Sequence, residues 1–261
     1  MAEYPLVTTP IIQLTEELSN PYLRGIVKAN YIGTLIKTGK FDKIEDVLNS
    51  IFEELDKIEQ DDLKVDVLVE LTESIISTKY NKARDILDKI LEYTKTTLKK
   101  KRYQAEIIVH VVCAFANNDM PEHAKKLLSE LLDIIHNIKS EKERVILLCK
   151  WPTFFERGAV KLSDETINQI ISLVSDFSEE MKPRALRCVS EILIRLMQFP
   201  QAEKFAEQIE NREERDALLR ELAKKLLENK NYGHAVEVLK KIEIEREKAA
   251  VLKYWARLIS Q

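Results

Sequence analysis

Residues 61–91 read DDLKVDVLVELTESIISTKYNKARDILDKIL, and the fold follows from this stretch. Two acids, Asp61 and Asp62, precede the pair Lys64-Val65, which opens an apolar run. Acidic side chains there meet the unpaired N–H groups and the positive dipole end of a helix N-terminus. The second half carries Ala83, Ile86, Leu87, Ile90 and Leu91, spaced three or four apart and so on one helical face. Tyr80 stands three residues before Ala83, where the chain turns from the first helix into the second. A small residue early in the second helix lets the two backbones come close. The stretch reads as helix, turn, helix.

The same pattern recurs on both sides. Comparable starts are Arg24-Gly25, Gln104-Ala105, Arg144-Val145 and Arg184-Ala185, which with Lys64-Val65 lie 40 residues apart. Two more, near Arg215 and at Lys248-Ala249, follow at spacings of 31 and 33. Ser140-Glu141, Glu179-Glu180, Glu213-Glu214 and Glu245 precede these starts, and Asn20-Pro21 reads as an N-cap followed by proline at the first helical position. The turn signal repeats as Phe41 before Ile44, Pro121 before Ala124, Phe199 before Ala202 and Tyr232 before Ala235. In the fourth unit, Ser163-Asp164 caps a helix carrying Ile167, Ile170, Ile171 and Val174. The first helix of each unit is called A and the second B. Early B helices are expected to be long (Tyr80 to Leu98, Pro121 to Ile138) and the last two short (Phe199 to Ile209, Tyr232 to Ile242). A fixed period of helix pairs implies a stacked array, because one pair cannot bury its apolar stripes alone.

The 261 residues are 45% apolar and 33% charged, enough for a core and too interspersed for a disordered chain. With 5 glycines and 7 prolines there are few turn formers, which favours long helices over a sheet protein. The formal net charge of −3 supplies no broad footprint for phosphate neutralisation, so nucleic acid is disfavoured as a partner. No apolar stretch approaches the ~18 residues of a membrane helix. Met1 to Leu14 carries Glu3 and no basic flank, unlike a signal peptide. Cys113, Cys149 and Cys188 are widely separated, odd in number and without a CxxC pair; this argues against a disulfide framework and for reducing, cytoplasmic surroundings.

In these features the chain resembles the tetratricopeptide repeat, whose unit is ~34 residues of helix–turn–helix. The final unit matches best: Leu222, Leu226, Tyr232, Ala235 and Leu239 fall on the pattern's apolar or small positions. Ala223 stands where the family prefers glycine, and Leu239 where it prefers phenylalanine. The resemblance implies an all-α, right-handed superhelical solenoid of stacked antiparallel helix pairs, about 13–14 helices in all. It also implies a scaffold that binds proteins or peptides; it does not imply a reaction. The expected organisation is an N-terminal segment with a short helix over residues 1–20. A single solenoid domain follows over 21–261, with about six helix pairs and a final capping helix.

Motifs for chemistry are sparse. The glycines form no phosphate loop, and no HExxH occurs. His110 and Cys113 lie one turn apart, but inside the apolar run Ile107 to Phe115, and a structural zinc needs four ligands. No catalytic set, metal or cofactor is therefore expected. His123 and His234, each just before the B-helix alanine, point to a structural role near the turn.

Two features mark candidate partner contacts. Trp151, Phe154 and Phe155 surround Pro152 inside the fourth A helix, where proline should kink or end the helix and open an aromatic anchor; the other reading is a repacked junction. Arg187, Arg220 and Lys253 recur 33 residues apart on the A helices, with Lys224 and Arg257 one turn later and Glu191 breaking the sign. This ladder reads either as a site for an acidic peptide or as a solvated face. The run Lys99 to Arg102 could touch RNA, though such runs are commonly linkers. The apolar residues of the last helix, Val251, Leu252, Tyr254, Trp255, Leu258 and Ile259, raise a homodimer through it. A protein- or peptide-binding scaffold leads. An RNA-binding helical repeat and an accessory or self-associating subunit are the alternatives.

Overall fold

The computed structural model describes residues 8–76, 78, 80, 82–155 and 164–260, without the side chains of 8–10 and 152–155. Among the described residues the chain is helical with no strand. The helix α1 (Thr8–Glu16) precedes the A helices α2 (Pro21–Lys37), α4 (Asp61–Ile76), α6 (Lys101–Asn117), α8 (Glu141–Phe155), α10 (Lys182–Arg195), α12 (Arg212–Glu228) and α14 (Glu245–Ile259). The B helices between them are α3 (Ile44–Lys57), α5 (Ala83–Thr97), α7 (Pro121–His136), α9 (Asp164–Ser172), α11 (Phe199–Glu207) and α13 (Tyr232–Lys241). The first four A helices begin at 21, 61, 101 and 141, so the 40-residue period is real. The late B helices are indeed short, with 9 residues in α11 and 10 in α13 against 15 in α5.

Local chemistry sets these boundaries. The Asn20 carboxamide oxygen accepts from the backbone N–H groups of Tyr22 (2.8 Å) and Leu23 (3.4 Å), with Pro21 opening α2. Asn211 caps α12 likewise, accepting from the Glu214 N–H at 3.0 Å. Four A helices end in one turn. Gly39, Asp119, Met197 and Lys230 adopt φ of 71°, 60°, 59° and 59°. The next residue's N–H bonds back five positions: Lys40 to Leu35 O, Met120 to Phe115 O, Gln198 to Leu193 O and Asn231 to Leu226 O. This 6→1 bond beside a left-handed residue is the Schellman closure. In each case the small or apolar B-helix residue follows the left-handed one by five: Ile44, Ala124, Ala202, Ala235, all buried. In these four pairs the A-to-B corner is thus one repeated geometry.

The chain divides into two compact units, Met1–Leu131 and Leu132–Gln261. In the first, α2 packs on α3 and α4, and α4 on α6. A Cβ on Gly25 would lie 3.1 Å from a Val67 methyl, and one on Gly33 the same distance from the Ser74 carbonyl oxygen, so these glycines let α2 and α4 approach closely. Ile32, Leu35, Ile51, Leu68, Leu87 and Phe115 fill the core. Within that apolar setting sits an ionic cluster. Lys28, 1% exposed, donates to Glu54 (3.0 Å) and Ser50 (2.7 Å) and pairs with Glu16 (2.8 Å), while Arg24 bonds the other Glu54 oxygen at 2.6 Å. Helices α1, α2 and α3 are tied together there.

In the second unit α10 packs on α8, α11 and α12, and α12 on α13 and α14. Two expectations need correction. Proline 152 does not end the fourth A helix: α8 runs on as helix to Phe155. Cys149 and Cys188 form a disulfide between α8 and α10, with Cα atoms 4.8 Å apart. Their separation of 39 is one repeat less one residue, and the stacking of successive A helices turns that spacing into proximity. With this bond the cysteine-based argument for a cytoplasmic, reducing location falls away. Replacing Cys149 with Ser, or adding dithiothreitol, is expected to lower stability by about 2–4 kcal/mol, because the bond restricts the unfolded chain. Urea unfolding with and without reductant reads this, and coincident curves would mean that the bond does not form in solution.

Candidate functional site

The basic ladder lies on α10, α12 and α14, which follow one another in the second unit, but the structure divides it. Arg187 and Arg220 face a concavity of about 380 Å³ between α10 and α12. Its floor is Ile194, Ala217 and Leu218, and Arg195 adds a third guanidinium. Glu191, Glu213, Glu214 and Glu221 line the same walls. Lys253 and Arg257 are not part of it. They sit on an exposed stripe of α14 beside Ala256 and Ser260.

Carboxylates hold the arginines in place. Arg187 Nε lies 3.2 Å from Glu191 one turn on. Arg220 Nε lies 3.0 Å from Glu221, and its Nη1 bonds Glu247 of α14. Lys224 reaches Glu221 at 3.2 Å and lies 5.9 Å from the Tyr254 ring centre. Burial alone would lower the Arg220 pKa, but its bonds to Glu221 and Glu247 raise it above the ordinary value. Burial likewise works against ionisation of Glu221, and its bonds from Lys224 and Arg220 override it and lower the pKa. The groove therefore presents alternating fixed charges of both signs over an apolar floor, rather than a purely cationic surface. Arg220 also ties α12 to α14, and Asp216 does the same from the buried side of α12. Its carboxylate accepts from the N–H groups of Glu243 (2.8 Å) and Ile244 (2.7 Å) just before α14 begins.

The aromatic candidates fare differently. Trp151 is 1% exposed and belongs to the core, so its indole has no surface to offer a partner. The side chains of Phe154 and Phe155, and the Ser163 cap, lie outside the described residues. In the run at 99–102, Lys100 and Arg102 lie 5.4 and 4.7 Å from the Tyr103 ring centre, and that ring is itself buried, so no base could stack on it. His110 and Cys113 are buried in α6, with His110 Nδ1 3.6 Å from a Glu73 oxygen. His123 on α7 packs 5.5 Å from the Phe115 ring of the A helix α6, whereas His234 Nε2 on α13 lies 2.7 Å from Glu203 of the preceding B helix α11, so the two histidines make different contacts.

Of the groove's residues, sequence reasoning found Arg187 and Arg220 and noted Glu191. It missed Arg195 and Glu221, and it read Glu213-Glu214 only as helix-start acids. The i, i+4 spacing of Arg187 and Glu191 was the legible sign that the ladder is neutralised.

The fold and groove together define a class: an all-α protein of consecutively paired helices, with a charged groove on its A helices. No family description and no curated protein matches the chain. Among solved structures, it is similar to Ton1535 from Thermococcus onnurineus NA1, at 14% identity over 96% of this chain and 84% of that one, with a TM-score of 0.39. It is also similar to the nearly identical TPR-like repeats of a putative kinesin light chain from Podosopora anserina. That match has 15% identity, covers 75% of this chain and 97% of the other, and has a TM-score of 0.43.

Proposed function

We propose that the chain is a protein-interaction scaffold without catalysis of its own, and that the α10–α12 groove holds a short segment of another protein. The observation that carries this reading is the pairing of an apolar floor with fixed charges of both signs in one concavity of about 380 Å³. Concave binding sites combine an apolar interior with a few placed polar groups that fix what they hold. Here Arg187 and Arg195 on α10 suit acidic side chains, and Glu213 and Glu214 on α12 suit basic ones. The segment this favours is one bearing both charges around a small apolar residue, in place of the acidic peptide that the ladder alone would attract.

Ala217 is half-buried and lines the groove, so Ala217→Trp is expected to fill space there without removing any of the ion pairs described above. Immobilised wild-type protein is expected to retain from cell extract a partner that the Ala217→Trp protein retains at least tenfold less. Retention should weaken as salt rises, because exposed charge pairs are screened. Equal recovery on both proteins would remove the groove as the binding site.

A further inference from the structure

The Cys149–Cys188 disulfide ties α8 to α10, and α10 forms one wall of the groove. Disulfides act as structural staples chiefly where a domain is too small to bury a core of its own. That need is absent here. Val145, Leu148 and Trp151 of α8 are buried, as are Leu186, Val189 and Ile192 of α10, and the two helices pack on each other. Apolar packing therefore keeps α8 against α10 without the bond. What the bond adds is a fixed distance between them.

That distance bears on the groove. The Cα atoms of the two cysteines are 4.8 Å apart. When the bond opens, the sulfurs part from about 2 Å to roughly 3.5–4 Å, the spacing of non-bonded atoms. Cys188 is 3% exposed and shares a helical face with the buried Ala185 and Ile192, so its side chain has little room to turn aside and part of the separation falls on α10. The groove residues ride on the same helix. Arg187 precedes Cys188, Glu191 follows it by three residues, and Arg195 by seven, about two turns. A shift or rotation of α10 re-aims these charges against Glu213, Glu214 and Ala217 of α12.

We propose that the disulfide is a redox latch on the groove. Oxidised, it holds α10 in the position described above; reduced, it releases α10 and changes the shape of the groove. Cys149 is partly exposed and Cys188 buried, so a dithiol reaches Cys149 first. The dithiol's thiolate attacks the Cys149 sulfur, the S–S bond breaks, and Cys188 leaves as a thiolate that takes up a proton. The reductant's second thiol then displaces Cys149 and closes a disulfide within the reductant. Two electrons and two protons pass to the protein, and an oxidised dithiol reverses the exchange. Cys113, buried in α6 of the first unit, takes no part. The consequence for partner binding rests on the groove reading proposed above; the movement of α10 does not.

Hydrogen exchange of the full chain, read by mass spectrometry of its peptic fragments, tests the latch with no partner present. Protein in dithiothreitol is compared with protein in oxidised dithiothreitol, with circular dichroism recorded for both. Reduction should leave helicity unchanged and raise amide exchange over residues 187–195 by about tenfold or more, with α4 and α6 within about twofold. The oxidised reagent should restore slow exchange. The double variant Cys149→Ser with Cys188→Ser should exchange like the reduced wild type in both reagents. A bond that resists dithiothreitol in the folded protein overturns the proposal, as does equal exchange over 187–195 in the two states. A loss of helicity, or faster exchange in every helix, also overturns it, because the bond would then be a staple for the whole fold. The groove reading fails by a different result, equal partner retention by the wild type and the Ala217→Trp protein, and that result leaves the exchange comparison standing.

Discussion

Glu54→Ala is expected to cost about 3–5 kcal/mol, because it leaves a lysine ammonium inside the protein without its main counter-charge. Lys28 is 1% exposed and Glu54 2%, and Glu54 accepts from both Lys28 and Arg24. Glu16 remains near Lys28, but its side chain is about half exposed and its attraction is weakened by solvent. Denaturant unfolding of the variant measures the loss; a change under about 1 kcal/mol would mean that Lys28 finds water or a new partner. The same cluster gives the protein an acid-sensitive element. Burial pushes the Glu54 carboxyl up, yet the bonds from Arg24 and Lys28 prevail and hold it at about 2, below its ordinary 4.5. A carboxyl depressed on folding stabilises the native state above its unfolded pKa. That contribution, about 2–3 kcal/mol, is lost as pH falls from about 4.5 through about 2. Wild-type stability should drop across this window, and Glu54→Gln should flatten that part of the profile. Equal acid slopes in the two proteins would discount the cluster.

Trp151→Ala is expected to destabilise by about 3–5 kcal/mol, the usual cost of deleting a large buried ring and leaving a cavity. The residue occupies the core side of α8, two positions from the cysteine that joins α8 to α10. A surface anchor would behave in the opposite way, losing partner binding at nearly constant stability. Comparing the urea midpoint with partner retention for this one variant therefore separates the two roles.

The repeat was legible because its cause is local. Acidic helix starts, apolar residues at three-four spacing and a turn residue three before a small one are properties of short windows, and they located every A helix to within about a turn. What was not legible depends on chain segments meeting. Cys149 and Cys188 lie on different helices, and only the stacking of α8 against α10 brings them together. Pro152 left Trp151 open to two readings, an aromatic anchor or a repacked junction, because proline commonly breaks a helix; Trp151 is buried and α8 stays helical past Pro152. The spacing of Arg187, Arg220 and Lys253 was legible, but the partners were not: Glu221 and Glu247 bond the middle member, and Lys253 stands apart from the groove. The left-handed turn residues were hidden as well. Glycine would have announced them, and three of the four are Asp119, Met197 and Lys230.

The corner that four of the A–B pairs share leaves the other end of B as the place where such a repeat can change length. From α12 to α14 the repeat is seven residues shorter than the spacing of the first A helices, and most of that comes off the far end of B: α3 ends at Lys57 and α7 at His136, 18 and 17 residues after the left-handed corners Gly39 and Asp119, whereas α13 ends at Lys241, 11 after Lys230. Seven residues are about two turns, so the trimmed helix ends only about 20° from the direction in which the longer one ended. The linker leaves on nearly the same side and the next A helix can dock as before. Removing two residues would swing the exit to the far side of the helix. Repeats of this kind should therefore lengthen or shorten by near-whole turns, and the step from 40 to 33 is one such allowed edit.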